Sequence, residues 1–331
     1  MKTIRIFIIV LLCASITGIR AQEKDLPKTT WNGYTQLRFT TNFDDVNSFA
    51  MRRMKLWVTS APGFDQHWGY RVQTTITSFQ NERFFLQDVL AWYRNGPFRV
   101  NLGQFIPHYS LQRFQPDFVV PLTERSAAIN LLIPNGTLGI RDIGAEINYT
   151  VESRNFESWL GVFNGNGIKE YRLNNSGIMV TNKSVVHLAG NRLDLGYSAM
   201  YRKADNLKLA LVLPDTVLFS GDDIRFNLLA KWQTGRFNIQ GEYLSARLDN
   251  DRADGWYILT SYNLGKSQLV GSFNRYNDLI STSSDDPVIH LGYNYLAKGD
   301  KLKFMIDNGA AVADGGLNNY FVILQVQMFF N

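Results

Sequence analysis

Apolar and polar residues alternate along most of this chain with the two-residue period of a β-strand. The clearest case runs from Asn319 to Phe330, where one parity is entirely apolar and the other carries Gln325 and Gln327. Successive side chains of a strand point to opposite faces, so this stretch predicts a strand with one fully apolar face. The apolar parity consists of Tyr320, Val322, Leu324, Val326, Met328 and Phe330.

Segments of about ten residues with this alternation recur through the chain, which is typical of a transmembrane β-barrel. A soluble β-sandwich has the same period, because it also buries one face of each sheet. Aromatic residues at the segment ends favour the membrane barrel, since its rings collect where the wall meets lipid headgroups. These residues are Trp31, Trp68, Tyr149, Tyr201, Trp232, Trp256 and Tyr295.

We therefore predict an all-β fold, a single transmembrane antiparallel β-barrel of about sixteen strands that encloses an aqueous channel. Tight turns joining neighbouring strands are expected at Asn95-Gly96-Pro97, Thr234-Gly235-Arg236 and Gly265-Lys266-Ser267. Longer polar connections are expected near 44–48, 164–182, 249–254 and 278–287. The predicted strands are 29–43, 50–61, 67–79, 85–95, 98–105, 139–151, 156–164, 184–203, 206–213, 222–233, 236–248, 254–264, 268–277, 287–297, 301–310 and 319–330.

One connection, from Ile106 to Leu138, is much longer than the others and contains four prolines. A connection of this length is usually either functional or disordered. Its apolar residues make disorder a poor explanation, because they need a surface to pack on. We therefore predict that the loop 106–138 folds inward against the barrel wall and narrows the channel. The apolar residues are Phe114, Phe118, Val119, Val120, Leu131, Leu132 and Ile133.

The first 21 residues have the pattern of a signal peptide, with Lys2 and Arg5 ahead of an apolar run and a cleavage point after Ala21. We expect export and a mature domain of residues 22–331. Removing three of the 34 basic residues leaves 31 against 29 acidic ones, so the mature charge is close to neutral and argues against nucleic-acid binding. The single cysteine, Cys13, lies in the predicted signal, which excludes a disulfide framework.

The region of the long loop resembles the phosphate-selective porin O and P family of Gram-negative outer membranes. The resemblance implies a sixteen-stranded outer-membrane porin, often trimeric, whose third long loop folds inward and whose basic side chains pass phosphate-type anions. It covers residues 30–150 best, and the second half matches only in its strand pattern. The matching pieces are Arg52-Arg53-Met54-Lys55-Leu56, Leu102-Gly103-Gln104-Phe105-Ile106-Pro107-His108-Tyr109-Ser110-Leu111-Gln112-Arg113, Glu124-Arg125-Ser126 and Arg141-Asp142-Ile143-Gly144.

Basic residues on the polar parity of the early strands and on the long loop are the candidate pore-lining, anion-binding set. Guanidinium groups bind phosphate bidentately and keep their charge at any relevant pH. Arg52 falls on the outer parity, where we expect it to reach the membrane boundary. The candidate set is Arg38, Arg53, Lys55, Arg71, Arg99, Arg113 and Arg125. Alternatively, basic residues of the channel simply form a charge network with Asp88, Glu146, Asp194 and Glu242.

Passive diffusion of small hydrophilic solutes, with a preference for anions, is the predicted function. No catalytic residue, metal ligand or cofactor is predicted, because the four histidines are isolated and no nucleophile-elbow or phosphate-loop motif occurs. Two alternatives remain open: an outer-membrane barrel hydrolase, whose triad need not be contiguous in sequence, and a structural or secretion-accessory barrel that does not conduct. A homotrimer is expected, with small outward residues at Gly33, Ala91 and Gly271 permitting close approach.

Overall fold

The computed structural model of this chain describes residues 29–77, 83–168, 177–281, 285–313 and 315–330. Within them the chain forms sixteen strands and one short helix, α1 (Ala127–Leu131). The strands are β1 (Thr30–Thr41), β2 (Asn47–Ser60), β3 (Trp68–Thr77), β4 (Arg83–Asn95), β5 (Phe98–Phe105), β6 (Asp142–Thr150), β7 (Phe156–Phe163), β8 (Met179–Leu188), β9 (Leu193–Leu207), β10 (Phe219–Thr234), β11 (Phe237–Leu248), β12 (Asp251–Leu264), β13 (Ser267–Asn277), β14 (Val288–Asp300), β15 (Leu302–Ala313) and β16 (Gly316–Phe329).

The sixteen strands close into one antiparallel barrel, in which each strand pairs with its sequence neighbours and β1 pairs with β16. Closure leaves no open sheet edge, so the backbone groups of the wall are paired within it, as a lipid environment requires. On the inner face Gln36 and Gln327 share a hydrogen bond of 2.8 Å across the β1–β16 seam. The predicted fold class and strand number are confirmed.

The two faces of the wall differ as the alternation predicts. On β1 the exposed fraction is 3% for Gln36 and 5% for Arg38, but 54% for Leu37 between them. Large apolar residues cover the outside, among them Leu160, Leu228, Ile258 and Leu324. No helix among the described residues is long and apolar enough to cross a membrane.

The three predicted glycine turns join β4 to β5, β10 to β11 and β12 to β13, all at the same end of the barrel. Gly96 and Gly235 adopt φ of +54° and +52°, the left-handed region that two-residue hairpins use. The long connection predicted at 249–254 is wrong, because β11 and β12 meet at a tight turn of Asp249 and Asn250. The ladder between β11 and β12 continues to the pair Leu248 and Asp251, although residues 249–254 are rich in charged side chains.

The predicted strands 184–203 and 206–213 are also wrong. The structure breaks the first stretch into β8 and β9 at a turn in which Ala189, Gly190 and Asn191 all have positive φ. Beyond Leu207 the chain leaves the sheet, and Leu209 and Val212 are buried in an apolar cluster. One predicted strand is in fact two and another does not exist, so the total remains sixteen. The second error arose because apolar and polar residues alternate over 206–213 as they do in a strand.

The segment 106–138 contacts strands on opposite sides of the closed barrel, which places it inside. Its backbone oxygens at Ser110 and Phe118 accept hydrogen bonds from Lys183 of β8 (3.0 Å) and Lys303 of β15 (2.9 Å). We call this segment the inner loop. At Gly255 of β12 an added Cβ would lie 2.7 Å from Ala128 of α1, so the missing side chain lets the helix approach the wall.

The second half of the inner loop packs on an apolar patch of the inner wall. The sequence pattern did not reveal this patch, because the inner parity of a transmembrane β-barrel strand is expected to be polar. It places an apolar core inside the barrel against β9, β11 and β12. The cluster includes Tyr109, Ile129, Leu132, Ile133 and Leu138 of the loop and Met200, Ala204, Leu207, Leu244, Ala246, Leu248, Ala253 and Tyr257 of the wall.

Candidate functional site

A cavity of about 250 Å³ lies between the inner loop and the wall formed by the early strands. Five of the seven predicted pore-lining residues border it, whereas Arg38 and Arg53 do not. We call it the early-strand cavity. Among the described residues that line it, six are basic and two are acidic. The basic ones are Lys55, Arg71, Arg99, Arg113, Arg125 and Arg141, and the acidic ones are Asp88 and Asp117.

Asp117 of the inner loop gathers three of the predicted cations. Arg53 lies 2.6 Å from its carboxylate, and Lys55 and Arg125 also form ion pairs with it. Arg125 in addition donates to the carbonyl oxygens of Gln112 (3.1 Å) and Gln115 (2.5 Å), so it organises the loop itself. Burial alone would raise the pKa of Asp117, but these neighbouring charges outweigh burial and hold it well below its usual range.

Glu124 joins the inner loop to β1 and β2. Arg38 lies 2.7 Å from its carboxylate, and Arg52 donates to both carboxylate oxygens at 2.6 and 2.9 Å. The outward position predicted for Arg52 is therefore wrong. The β1–β2 register passes from Gln36↔Arg53 to Leu37↔Met51, which makes Arg52 the extra residue of a β-bulge. A bulge interrupts the strict alternation of faces, so two consecutive arginines both reach inward.

Asp88 of β4 carries a third ion-pair cluster. Arg141, next to the start of β6, lies 2.6 Å from one of its oxygens, and Arg71 of β3 lies 3.6 Å from the other. Arg141 was not in the candidate set, although it belongs to the quoted stretch Arg141-Asp142-Ile143-Gly144. Its place just before a strand, at the end of the loop, was the available signal.

Arg99 and Arg113 form no ion pair with a carboxylate within 4 Å among the described residues. Arg99 donates to Asn101 at 2.8 Å and lies 4.8 Å from the ring centroid of Trp92. The guanidinium of Arg113 makes no hydrogen bond to any described residue, and its Nε is buried. Burial, together with the charge of Arg125, lowers the pKa of Arg113 well below its ordinary value. A buried cation without a partner is costly, and an anion in the cavity would relieve that cost.

The alternative charge network is found for only one of the four carboxylates named for it. Asp88 pairs with Arg71, as described above. Glu146 and Asp194 instead contact His108 (2.5 Å) and His187 (2.7 Å). Glu242 accepts hydrogen bonds from the inner loop, at Ser110 Oγ (3.0 Å) and at the backbone nitrogens of Leu111 (2.9 Å) and Gln112 (2.7 Å).

Aromatic side chains form much of the remaining wall of the early-strand cavity, and sequence reasoning missed them. The rings of Trp57 and Phe118 are nearly parallel, with centroids 6.3 Å apart. His108 is stacked between Trp159 (3.7 Å) and Phe114 (3.9 Å). An aromatic residue on the polar parity of β2 or β7 was the available signal, because a ring that points into the barrel needs a surface to pack on.

The depressed pKa of Glu124 leads to a pH prediction. Burial would raise that pKa, but the hydrogen bond and charge of Arg52, with the charges of Arg53 and Arg38, lower it from 4.5 to about 2. The ion pairs of Glu124 with Arg38 and Arg52, which tether the inner loop to the wall, are therefore at full strength above pH 4.5 and are lost as the pH falls through 2. Their loss releases this part of the loop and widens the channel. We expect single-channel conductance to change little from pH 7 to 4 and to rise towards pH 2.

Glu124→Gln is the control for this prediction, because it removes the titrating group and keeps its shape. The variant should have raised conductance at pH 7 and no further rise near pH 2. Planar-bilayer recordings of both proteins across this range measure the difference. A rise that is complete in the wild type by pH 4 would contradict the assigned tether.

Sequence comparison gives the family of this chain. The sequence profile described as "Phosphate-selective porin O and P" matches residues 28–311. The chain belongs to this porin family. The resemblance noted from the early strands and the inner loop is thus confirmed, and it extends over most of the barrel. The protein is a porin of the Gram-negative outer membrane. Among curated proteins, none matches the sequence significantly.

Solved porin structures share the fold at low sequence identity. Salmonella typhi OmpF in complex with daunomycin aligns with this porin at a TM-score of 0.66 and 10% identity, over 93% of this chain and 100% of that one. Vibrio cholerae OmpT in its trimer form gives 0.64 and 11%, over 92% and 100%. Pseudomonas putida OprB gives 0.62 and 12%, over 92% and 94%. At these identities the likeness shows the fold alone.

Proposed function

We propose that this porin conducts small anions in preference to cations, by passive diffusion past the early-strand cavity. The observation that carries the proposal is the unequal charge of the site. Seven ion pairs among the described residues of this region converge on three carboxylates: Asp88, Asp117 and Glu124. Arg99 and Arg113 add two further cations that form no ion pair with a carboxylate among the described residues. The site therefore keeps a large positive excess after pairing.

A positive excess in a narrow passage favours anions for two reasons. The walls of protein and lipid lower the effective dielectric constant, so each charge acts more strongly than it does in bulk water. Like charges held close together also repel one another, and an entering anion reduces that repulsion. Cations meet the same field with the opposite sign, which lowers their concentration in the passage.

Phosphate is one anion that this arrangement suits, because guanidinium groups donate two parallel hydrogen bonds to its oxygens. The description of the family supports phosphate as a solute.

We further propose that the protein acts as a passive channel and not as an enzyme. Each of the four histidines is paired with a carboxylate, and none makes a hydrogen bond to a serine hydroxyl among the described residues; they are His67, His108, His187 and His290. Phospholipase and peptidase assays of purified protein test this, and turnover would contradict it.

Export and assembly are also proposals. The predicted signal peptide, residues 1–21, lies outside the described residues, and N-terminal sequencing of the mature protein would locate the cleavage site.

A homotrimer is supported by the trimer form of the similar OmpT structure. Gly33, Ala91 and Gly271 lie on β1, β4 and β13, which are not adjacent strands, so they do not form one contact patch. A monomer mass in light scattering of detergent-solubilised protein would contradict the trimer.

Reversal potential under a potassium chloride gradient across a planar bilayer tests the proposed selectivity. We expect a potential whose sign shows chloride to be more permeant than potassium. The preference should weaken as salt rises towards 1 M, where charges are screened over about 3 Å. A potential near zero, or one showing potassium preference, would make this a general or cation-preferring porin.

A further inference from the structure

The early-strand cavity combines positive charge with an unusual amount of aromatic surface. Tyr34, Trp57, Phe118 and Phe114 border it together with the six basic residues, and Trp159 and Leu90 extend the apolar wall. Tyr34 stands edge-on to Trp57 at 6.2 Å and to Phe118 at 5.5 Å, so these rings form one continuous cluster. A channel built only for inorganic ions gains nothing from such a wall, because rings cannot replace the water that an ion loses.

Basic groups and aromatic rings are also next to each other within this wall. The Arg71 guanidinium carbon lies 5.4 Å from the ring centroid of Trp57. Arg113 immediately precedes Phe114, and its guanidinium makes no hydrogen bond to a described residue. A ligand that fits this arrangement carries a negative group for the arginines and a flat apolar body for the rings.

We propose that the early-strand cavity is a binding site for planar organic anions, namely a single aromatic ring that bears a carboxylate or a phosphate. This rests on the proposed anion path and adds to it a substrate class. The anionic group would contact Arg113 and Arg71, and the ring would pack along Trp57 and against the edge of Phe114, since His108 covers one face of that ring. The cavity of about 250 Å³ is smaller than the ~300–1,000 Å³ of sites for drug-sized ligands, which limits the ligand to about one ring.

Block of the chloride current by added anions tests this site. Benzoate is compared with acetate, and phenyl phosphate with inorganic phosphate, so that each pair shares its charged group and differs in the ring. In the wild type we expect half-block by benzoate at a concentration about fivefold lower than by acetate, the factor typical of one ring contact. Phenyl phosphate should exceed inorganic phosphate by a similar factor. Benzyl alcohol, which has the ring and no charge, should not block.

Two substitutions separate the roles of ring and charge. Trp57→Leu and, independently, Phe114→Leu should bring the ratio of the half-block concentrations of acetate and benzoate towards one, and the chloride-to-potassium permeability ratio of each variant is measured beside it. Arg113→Gln should weaken block by both anions and preserve their ratio. The matched control is Trp232→Leu, because Trp232 is exposed on the outer face of β10 and should affect neither quantity.

The outcomes distinguish this inference from the proposed function. If the wild type prefers chloride but benzoate blocks no better than acetate, the aromatic wall takes no part in binding and the inference is overturned. Equal effects of Trp232→Leu and the two cavity variants would overturn it as well. A wild type without chloride preference would overturn the proposed anion path and this inference with it.

Discussion

Glu242→Ala is expected to raise single-channel conductance about twofold or more, because it releases the first half of the inner loop. The carboxylate of Glu242 accepts hydrogen bonds from Ser110, Leu111 and Gln112 of the loop. It also accepts from Asn227 (2.8 Å) and Tyr257 (2.9 Å) of the wall. Removing a buried acceptor leaves its donors unpaired, at a cost of about 1–3 kcal/mol for each buried group. The loop can recover those bonds with water only by moving away from β11.

The barrel should survive this change, because its strands are held by their own ladders and by closure. Heat-dependent mobility on gels and β-sheet circular dichroism would confirm a folded barrel before conductance is measured in bilayers. Glu157→Ala is the charge-matched control: Glu157 lies on β7 and forms no hydrogen bond with the inner loop among the described residues. Equal conductance changes in the two variants would show that lost negative charge, and not loop release, is the cause.

The double variant Arg99→Glu with Arg113→Glu is expected to lower the chloride-to-potassium permeability ratio several-fold, to about one. In the wild type six basic residues of the early-strand cavity stand against two acidic ones. The double variant has four of each, so the excess of four positive charges disappears. Neither side chain forms an ion pair with a carboxylate of the described residues, so the double variant breaks no existing ion pair. Arg125→Glu is a poorer test, since Arg125 holds Asp117 and two loop carbonyls.

Reversal potentials of wild type and variant in the same salt gradient measure this effect. The control is Arg192→Glu with Arg236→Glu, which changes the total charge equally at two exposed turns. Those turns join β8 to β9 and β10 to β11, away from the early-strand cavity. The control should shift selectivity much less, because exposed charges more than about 10 Å away are screened at 0.1 M salt. Equal shifts in both double variants would mean that net charge alone sets selectivity.

Much of the fold could be predicted from the chain because the two-residue period is a local property. The parity rule put Gln36 and Arg38 inside and Leu37 outside, and the turns at Gly96, Gly235 and Gly265 followed from local conformation. Errors occurred where one local signal resembled another. At 206–213 alternating burial came from the apolar cluster under the loop and not from a strand. At Arg52 a bulge changed the face of the residue, and neither strand sequence marks that bulge.

The sequence by itself determined the alternation, most of the strands and the presence of a long apolar loop, because each depends on neighbours along the chain. It also supplied the basic residues of the candidate set. Only the tertiary structure decided which of them have their charge compensated by an ion-pair partner. Asp117 and Glu124 come from the loop and meet Lys55 and Arg38 of the wall, across 62 and 86 residues. Pairing and burial depend on distances between remote segments, and those distances exist only once the barrel has closed around the loop.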